Sequence, residues 1–69
     1  MTKVRLIEVH NLAGLTDWMC EMGIGRKRRE MIRQRLEKKG HVMLKEGFYL
    51  KLEVDSDGFR TIKRYKVML

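Results

Sequence analysis

The sequence predicts a small α+β domain in which an N-terminal strand precedes two helices and a C-terminal antiparallel β-hairpin. Three observations lead to this prediction. Segments in which apolar and polar residues alternate lie at both ends of the chain, as in half-buried strands. Between them apolar residues recur every three or four positions, as in amphipathic helices. Glycines and one Asp-Ser-Asp-Gly tetrapeptide separate these segments.

The first strand and the first helix occupy the N-terminal third of the chain. The strand is predicted over residues 3–9, which are rich in β-branched residues. The helix should end at Gly23, which can adopt a left-handed conformation. Either Asn11 or Thr16 can cap its start, and because Gly14 weakens the first turn we expect the ordered helix to begin near Thr16. Its apolar stripe consists of Leu12, Leu15, Met19 and Met22, with Trp18 beside it.

A second helix is predicted from about Arg26 to Lys39, between the tight break Gly23-Ile24-Gly25 and Gly40. Its inward stripe is narrow, so only one edge of the helix can rest on the core. Arginine side chains at this edge should bury their methylene groups while their guanidinium groups reach water. The stripe consists of Gly25, Arg29, Ile32 and Leu36, with Met31 to one side.

The pattern of the C-terminal third is β. Residues 41–44 are predicted as a short strand, and residues 48–54 alternate apolar with polar side chains. The tetrapeptide Asp55-Ser56-Asp57-Gly58 predicts a type I turn closed by a left-handed glycine. Residues 59–67 should therefore return antiparallel to the preceding strand as a hairpin.

Two registers of this hairpin remain open. A three-residue loop places Leu52 opposite Ile62 and Tyr49 opposite Tyr65. A shift of one residue exchanges the two faces of the strand, because successive side chains point to opposite sides of a sheet.

Length and composition limit the class of protein. A chain of 69 residues supports one domain, residues 1–69, and 43% apolar with 36% charged residues suffices for a folded core. Cys20 is the only cysteine, which excludes an intrachain disulfide and indicates a reducing, cytoplasmic compartment. We expect its thiol to be buried. The charged N-terminal segment is unlike a signal peptide, and the chain has no apolar run of about 18 residues, so no membrane span is expected.

The net charge of +7 is concentrated in the second predicted helix. Residues 26–39 contain eight basic and two acidic residues, whereas residues 1–25 carry a net charge of −1. A local field of this sign concentrates polyanions at one surface, and release of counterions from phosphates would supply affinity. The alternative is a solvated helix that maintains solubility, although mixed charges spread along the chain would serve that purpose equally well.

The element order and the segment Gly23-Ile24-Gly25-Arg26 resemble a helix-turn-helix with a wing, as in phage Cro-type repressors, excisionases and winged helix-turn-helix regulators. The resemblance covers about residues 15–65. In this class the first helix braces the second, whose exposed N-terminal half enters the major groove. Two features differ from the class, since Arg29 lies near a position where an aliphatic residue is usual and no helix precedes Leu12.

The resemblance implies a DNA-binding protein, either a transcriptional regulator or an architectural factor in recombination, that acts as a homodimer or cooperative oligomer on duplex DNA. Lys27, Glu30 and Gln34 would read base edges, or they form surface pairs on the helix. Phosphate contacts would come from Arg26, Arg28, Arg29, Arg33 and Lys38. The basic residues of the hairpin are either phosphate contacts or edge charges that prevent aggregation of strands; they are Arg60, Lys63, Arg64 and Lys66.

The remaining motifs predict no catalytic chemistry. Trp18 has the spacing of a core residue rather than of a base-stacking platform. His10 and His41 have no third ligand nearby in sequence, so no metal site is expected. The Asp-Ser-Asp-Gly tetrapeptide lacks the further ligands of a calcium loop. No nucleophile has a recognisable base partner, and we expect neither an enzyme nor a cofactor.

Two other functions remain open. An arginine-rich helix followed by Gly40-His41-Val42 is similar to small ribosomal-protein-type domains that hold structured RNA, which is recognised mainly by shape and backbone. A small phage-type inhibitor that binds an acidic protein would use the same charge, because an acidic protein and a polyphosphate attract the same basic surface.

Overall fold

Two helices pack on one face of a four-stranded antiparallel sheet in the computed structural model, which describes residues 3–68. The α+β class, the N-terminal strand, the two helices and the antiparallel C-terminal strands are confirmed, and the order along the chain is β-α-α-β-β-β. No helix in this part of the chain is long and apolar enough to cross a membrane. The elements are β1 (Lys3–His10), α1 (Leu12–Glu21), α2 (Arg26–Lys39), β2 (His41–Met43), β3 (Phe48–Val54) and β4 (Arg60–Met68).

The last strand lies inside the sheet, whose order is β1-β4-β3-β2. β1 pairs with β4 along its length, from Lys3 opposite Met68 to His10 opposite Ile62. The register shifts between Leu6 and Glu8, where β1 carries one extra residue. The hairpin of β3 and β4 therefore forms the middle of the sheet rather than a projecting wing.

The hairpin has the register of a three-residue loop, with Leu52 opposite Ile62. The carbonyl of Asp55 accepts a hydrogen bond from the Gly58 amide at 3.0 Å, and Gly58 has a φ of 84°. The Asp55 amide in turn donates to the Phe59 carbonyl at 3.0 Å. The predicted turn is thus confirmed, because a type I turn followed by a left-handed glycine closes strands of normal twist.

α1 begins at Leu12, before the predicted start near Thr16. Asn11 has an extended backbone, and its Oδ1 accepts a hydrogen bond from the Gly14 amide at 2.7 Å. The Thr16 hydroxyl instead donates to the Leu12 carbonyl at 3.1 Å, inside the helix. The predicted late start was wrong because the Asn11 cap satisfies a free N–H group of the first turn and offsets the weakness of Gly14.

α2 spans the predicted residues Arg26–Lys39. Gly25 is its N-cap, with an extended backbone and no side chain to accept a hydrogen bond. At the other end Gly40 has a φ of 81°, and its amide donates to the Leu36 carbonyl at 2.9 Å. A left-handed residue ends the helix while keeping one terminal carbonyl bonded, as predicted for a glycine at this position.

The core lies between the helices and the sheet. Trp18 belongs to it, as predicted, and Ile24 of the interhelical turn is buried as well. Each layer contributes apolar side chains, which a chain this short needs for stability. The buried apolar residues are Leu15, Trp18 and Met19 of α1, Ile24 of the turn, Ile32 and Leu36 of α2, Val42 and Leu44 at β2, Leu50 of β3 and Ile62 of β4.

The buried stripe of α1 is shorter along the helix than predicted. Leu12 and Met22 at its two ends are 45% and 38% exposed, whereas Leu15 and Met19 at its centre are fully buried. Cys20 is exposed, so the expectation of a buried thiol was wrong. It follows Met19 in the helix and is turned about 100° away from the face that contacts the sheet.

The cap of α1 gives a direct test of how this helix is held. Substitution Asn11→Ala should lower the free energy of unfolding by about 1 kcal/mol, because the Gly14 amide loses its acceptor. Asn11→Asp keeps the acceptor and should remain close to the wild-type chain. Urea denaturation monitored by circular dichroism measures both. Equal stability of all three proteins would show that the cap contributes nothing.

Candidate nucleic-acid interface

α2 turns most of its circumference toward solvent. Only Ile32 and Leu36 are buried, and Arg28 and Arg29 are half-buried. The predicted narrow stripe is therefore confirmed at Ile32 and Leu36 and in part at Arg29, whereas Gly25 is exposed. The helix presents a polar surface on its other sides. The exposed residues are Arg26, Lys27, Glu30, Met31, Arg33, Gln34, Arg35, Glu37, Lys38 and Lys39.

The three residues predicted to read bases lie together on the outward side of α2. At 100° per residue Lys27, Glu30 and Gln34 point away from Ile32, and all three are exposed. Neither Lys27 nor Glu30 is in an ion pair with another of the described residues, so both charged groups are free of salt bridges there.

A cleft between α1 and α2 gathers three of the predicted phosphate contacts. The guanidinium group of Arg29 donates to the Ile24 carbonyl at 2.8 Å and so holds the interhelical turn. Arg26 and Arg33 form no ion pair with any residue in the described range. The cleft is lined by Thr16, Arg26, Arg29, Glu30 and Arg33.

Arg60, at the start of β4, lies next to the same side of α2. It lines one hollow together with Arg33, and the floor of that hollow is apolar. The structure thus brings one of the four basic hairpin residues to the basic helix. The hollow is completed by Leu12, Leu36, Glu37, Leu52 and Ile62.

Arg28 is held by a carboxylate on the opposite side of α2. Its guanidinium group donates to both carboxylate oxygens of Glu46, with 2.6 Å between Nη2 and Oε1. This hydrogen bonding raises the pKa of Arg28 and lowers the pKa of Glu46 to about 2. The pair fastens α2 to the turn between β2 and β3, so the structure gives Arg28 a positioning role where a phosphate contact was predicted.

The low pKa of Glu46 makes part of the stability depend on pH. A carboxyl group whose pKa is lowered by folding stabilises the protein above its usual pKa near 4.5 and loses that contribution as the pH falls to about 2. Glu46→Gln should therefore be less stable than the wild-type chain near pH 6, and the difference should shrink as the pH falls to about 2. Thermal unfolding across this range measures it, with Glu37→Gln as a control. A difference independent of pH would contradict the assignment.

Arg64 is a core residue and not the surface contact that was predicted. It is 8% exposed, its Cζ lies 4.4 Å from the centroid of the Trp18 ring, and its Nη2 is 3.0 Å from Glu8 Oε2. The reason is strand alternation, because Arg64 shares a face with Ile62, and that face packs against the helices. The signal was present in the sequence, since pairing Leu52 with Ile62 also puts Arg64 opposite the apolar Leu50.

Lys63 lies on the other face of the sheet, away from α2. Its ammonium group is 2.7 Å from Glu53 Oε2, which raises the pKa of Lys63 and lowers that of Glu53 through the hydrogen bond between them. Lys66 is on the helix side, where its Nζ lies 4.6 Å from the centroid of the Phe48 ring. The predicted hairpin set is therefore divided among α2, the core and the open face of the sheet.

The buried position of Arg64 predicts a structural effect of its removal. Arg64→Ala leaves a cavity beside Trp18 and should lower the free energy of unfolding by about 2–4 kcal/mol. Arg60→Ala removes the same charge from an exposed position of the same strand and should change stability by less than about 0.5 kcal/mol. Chemical denaturation compares the two. If both variants were equally stable, the stacking of Arg64 on Trp18 would not support the core.

The two histidines lie on opposite faces of the sheet. His10 is packed between Trp18 and the strands. Its pKa is lowered, mainly by burial and further by the positive charge of the nearby Arg64. His41 stands exposed on the other face. Within residues 3–68 no group of three or more histidine, cysteine, aspartate or glutamate side chains is arranged to hold a metal ion.

Comparison with known proteins gave no match: no family model fits the chain, and no curated protein or solved structure is similar to it. Fold alone does not determine function, which resides in the chemistry of particular sites. The charges and geometry described above therefore carry the functional proposal.

Proposed function

We propose that this chain is a DNA-binding protein that places α2 in the major groove of duplex DNA. The observation that carries the proposal is the surplus of unpaired positive charge on this helix. Of its eight basic side chains, Arg28 alone is in an ion pair with a carboxylate of the described residues. Unpaired surface cations attract phosphates and release their counterions, which supplies binding free energy that depends on salt.

The distribution of charge around α2 suits a groove. A 14-residue helix is about 21 Å long, and the major groove, about 12 Å wide, admits a helix of this kind. The outward side carries Lys27, Glu30 and Gln34, whose groups can bond to guanine, cytosine and adenine edges respectively. The flanks would supply the phosphate contacts. Arg26, Arg29 and Arg33 line the cleft beside α1, and Lys38 lies with Arg35 and Lys39 around a second hollow of the helix.

Arg60 extends this surface from the helix to the sheet. Arg60 and Arg33 line the same hollow, so a phosphate bound by either residue lies close to the other. The tip of the hairpin is less suited to DNA, since Asp55 and Asp57 are both exposed there. We therefore assign DNA contacts to the start of β4 rather than to the tip of the hairpin. As in the winged helix-turn-helix proteins that the sequence resembles, the chain would act as a regulator or as an architectural factor for recombination.

The proposal predicts that affinity depends on three exposed residues of α2. Replacing Arg26, Lys27 and Arg33 together by alanine should weaken binding to duplex DNA at least tenfold. It should also reduce the slope of log K against log salt by about one for each phosphate that is no longer neutralised. Fluorescence anisotropy at about 50 and 200 mM salt measures both quantities. The matched control replaces Lys3, Arg5 and Lys51 by alanine, which removes the same number of charges from β1 and from the open face of the sheet, and it should have a small effect.

Selection from a random duplex pool, followed by sequencing, tests base reading separately. The wild-type chain should enrich a defined motif, and Gln34→Ala should relax the preference at one position while leaving total affinity within about tenfold. Equal loss of affinity in the α2 variant and in the charge-matched control would contradict the proposal. A preference for RNA stem-loops, or for an acidic protein over both nucleic acids, would also contradict it.

A further inference from the structure

The helices cover one face of the sheet and leave the other face open. A row of four side chains crosses this open face, one from each strand and each directly opposite the next. Tyr65 of β4 and Tyr49 of β3 form its centre, with their ring centroids 6.0 Å apart. We call this the aromatic row; from β1 to β2 it consists of Leu6, Tyr65, Tyr49 and Met43.

A second row runs beside the aromatic row on the same face. Lys63 and Lys51 lie opposite each other on the two central strands, and His41 lies opposite Lys51 on β2. The His41 ring also stacks on Tyr49, with 6.0 Å between the centroids and 25° between the planes. We call Lys63, Lys51 and His41 the basic row; on β1 the residue opposite Lys63 is the apolar Val9.

These two rows have the chemistry of a single-stranded nucleic acid site. Aromatic side chains on a sheet give bases a surface on which to stack, and nearby cations bind the phosphates of the same strand. Side chains two positions apart on one strand are about 6.6 Å apart. Lys51 therefore lies beside Tyr49 on β3, and Lys63 beside Tyr65 on β4. We propose that the open face binds single-stranded nucleic acid, with bases on Tyr49 and Tyr65 and phosphates at Lys51 and Lys63.

The charge of the chain favours this occupant over a second copy of the protein. Another copy placed face to face would bring a net charge of +7 against the same net charge on the first, and like charges repel. A nucleic acid strand brings the opposite charge. The exposed aliphatic ends of the aromatic row extend the apolar surface on either side of the two rings, since Leu6 is 48% and Met43 53% exposed.

Glu53 is placed to regulate the affinity of this site. One of its carboxylate oxygens is 2.7 Å from Lys63 Nζ and the other 3.8 Å from Lys51 Nζ. A phosphate must therefore compete with this carboxylate for both lysines. Removing the charge of Glu53 should strengthen binding, which is an effect that damage to the fold would not produce.

The first test compares two double variants in fluorescence anisotropy with a labelled thymidine oligonucleotide of about twelve residues. Substitutions Tyr49→Leu and Tyr65→Leu together should weaken binding at least tenfold, because aliphatic side chains cannot stack with bases. Substitutions Tyr49→Phe and Tyr65→Phe keep both rings and should bind within about threefold of the wild-type chain. A uridine oligonucleotide of the same length, tested in parallel, distinguishes RNA from DNA as the strand that binds more tightly.

The second test uses Glu53→Gln, which should bind the same oligonucleotide severalfold more tightly at low salt. Binding that is unchanged in the leucine double variant, or weakened by Glu53→Gln, would overturn the proposal. A wild-type chain that sediments as a dimer and binds no oligonucleotide, with dimerisation abolished in the leucine variant, would overturn it in favour of a second copy.

The open face lies on the opposite side of the sheet from α2, so this inference does not rest on the duplex proposal. The alanine variant of Arg26, Lys27 and Arg33 should lose affinity for duplex DNA and keep most of its affinity for the oligonucleotide. The leucine double variant should behave in the opposite way. If the alanine variant instead abolished binding of both ligands, α2 rather than the open face would hold the single strand.

Discussion

The burial of Arg64 against Trp18 is the contact on which the arrangement of this small domain depends. Trp18 meets the Arg64 guanidinium on one side and the edge of Phe48 on another, with 5.1 Å between the two ring centroids. Arg64 also reaches Glu8, so one side chain connects α1 with β1, β3 and β4. An arginine in this position packs its methylene groups into the core, while aromatic rings and a carboxylate stabilise its charged group. An aliphatic residue would fill the same volume without the ion pair to Glu8 of β1.

The sheet separates two surfaces of different chemistry. On the helix side, α2 rests on the core through Ile32 and Leu36 and turns its basic side chains outward. On the open side, the rings of Tyr49 and Tyr65 lie beside Lys51 and Lys63, and both of these lysines are close to Glu53. The first surface is rich in arginine, which suits the phosphates of a duplex, whereas the second is aromatic, which suits unpaired bases. The strands between them keep the two surfaces apart because each strand sends alternate residues to opposite faces.

Local chemistry allowed most of the fold to be predicted from the sequence, and long-range packing accounts for the rest. The turn at residues 55–58 determines the hairpin register, and Gly40 marks the end of α2, because both depend on backbone conformations that few residues adopt. The burial of Arg64 was not predicted because a basic residue ordinarily indicates exposure, although the register places it opposite Leu50. No sequence signal linked Arg28 to Glu46, since the two meet only after α2 has packed beside β2. The outward side of α2 follows from helical periodicity alone, whereas its function stays a prediction.

The pairing of β1 with β4 has a consequence for how the domain is made. Among the described residues, the first strand pairs with the last one, with Lys3 opposite Met68, and this last strand lies inside the sheet. Contacts between residues so distant in sequence carry a large loop-closure cost and are typical of slow-folding topologies. A chain still emerging from the ribosome can form its helices early, but until residues 60–68 appear β1 has no partner and the apolar faces of α1 and β3 remain uncovered by β4. The interval before the nine residues of β4 emerge is therefore when a growing chain is most exposed to chaperones and to aggregation.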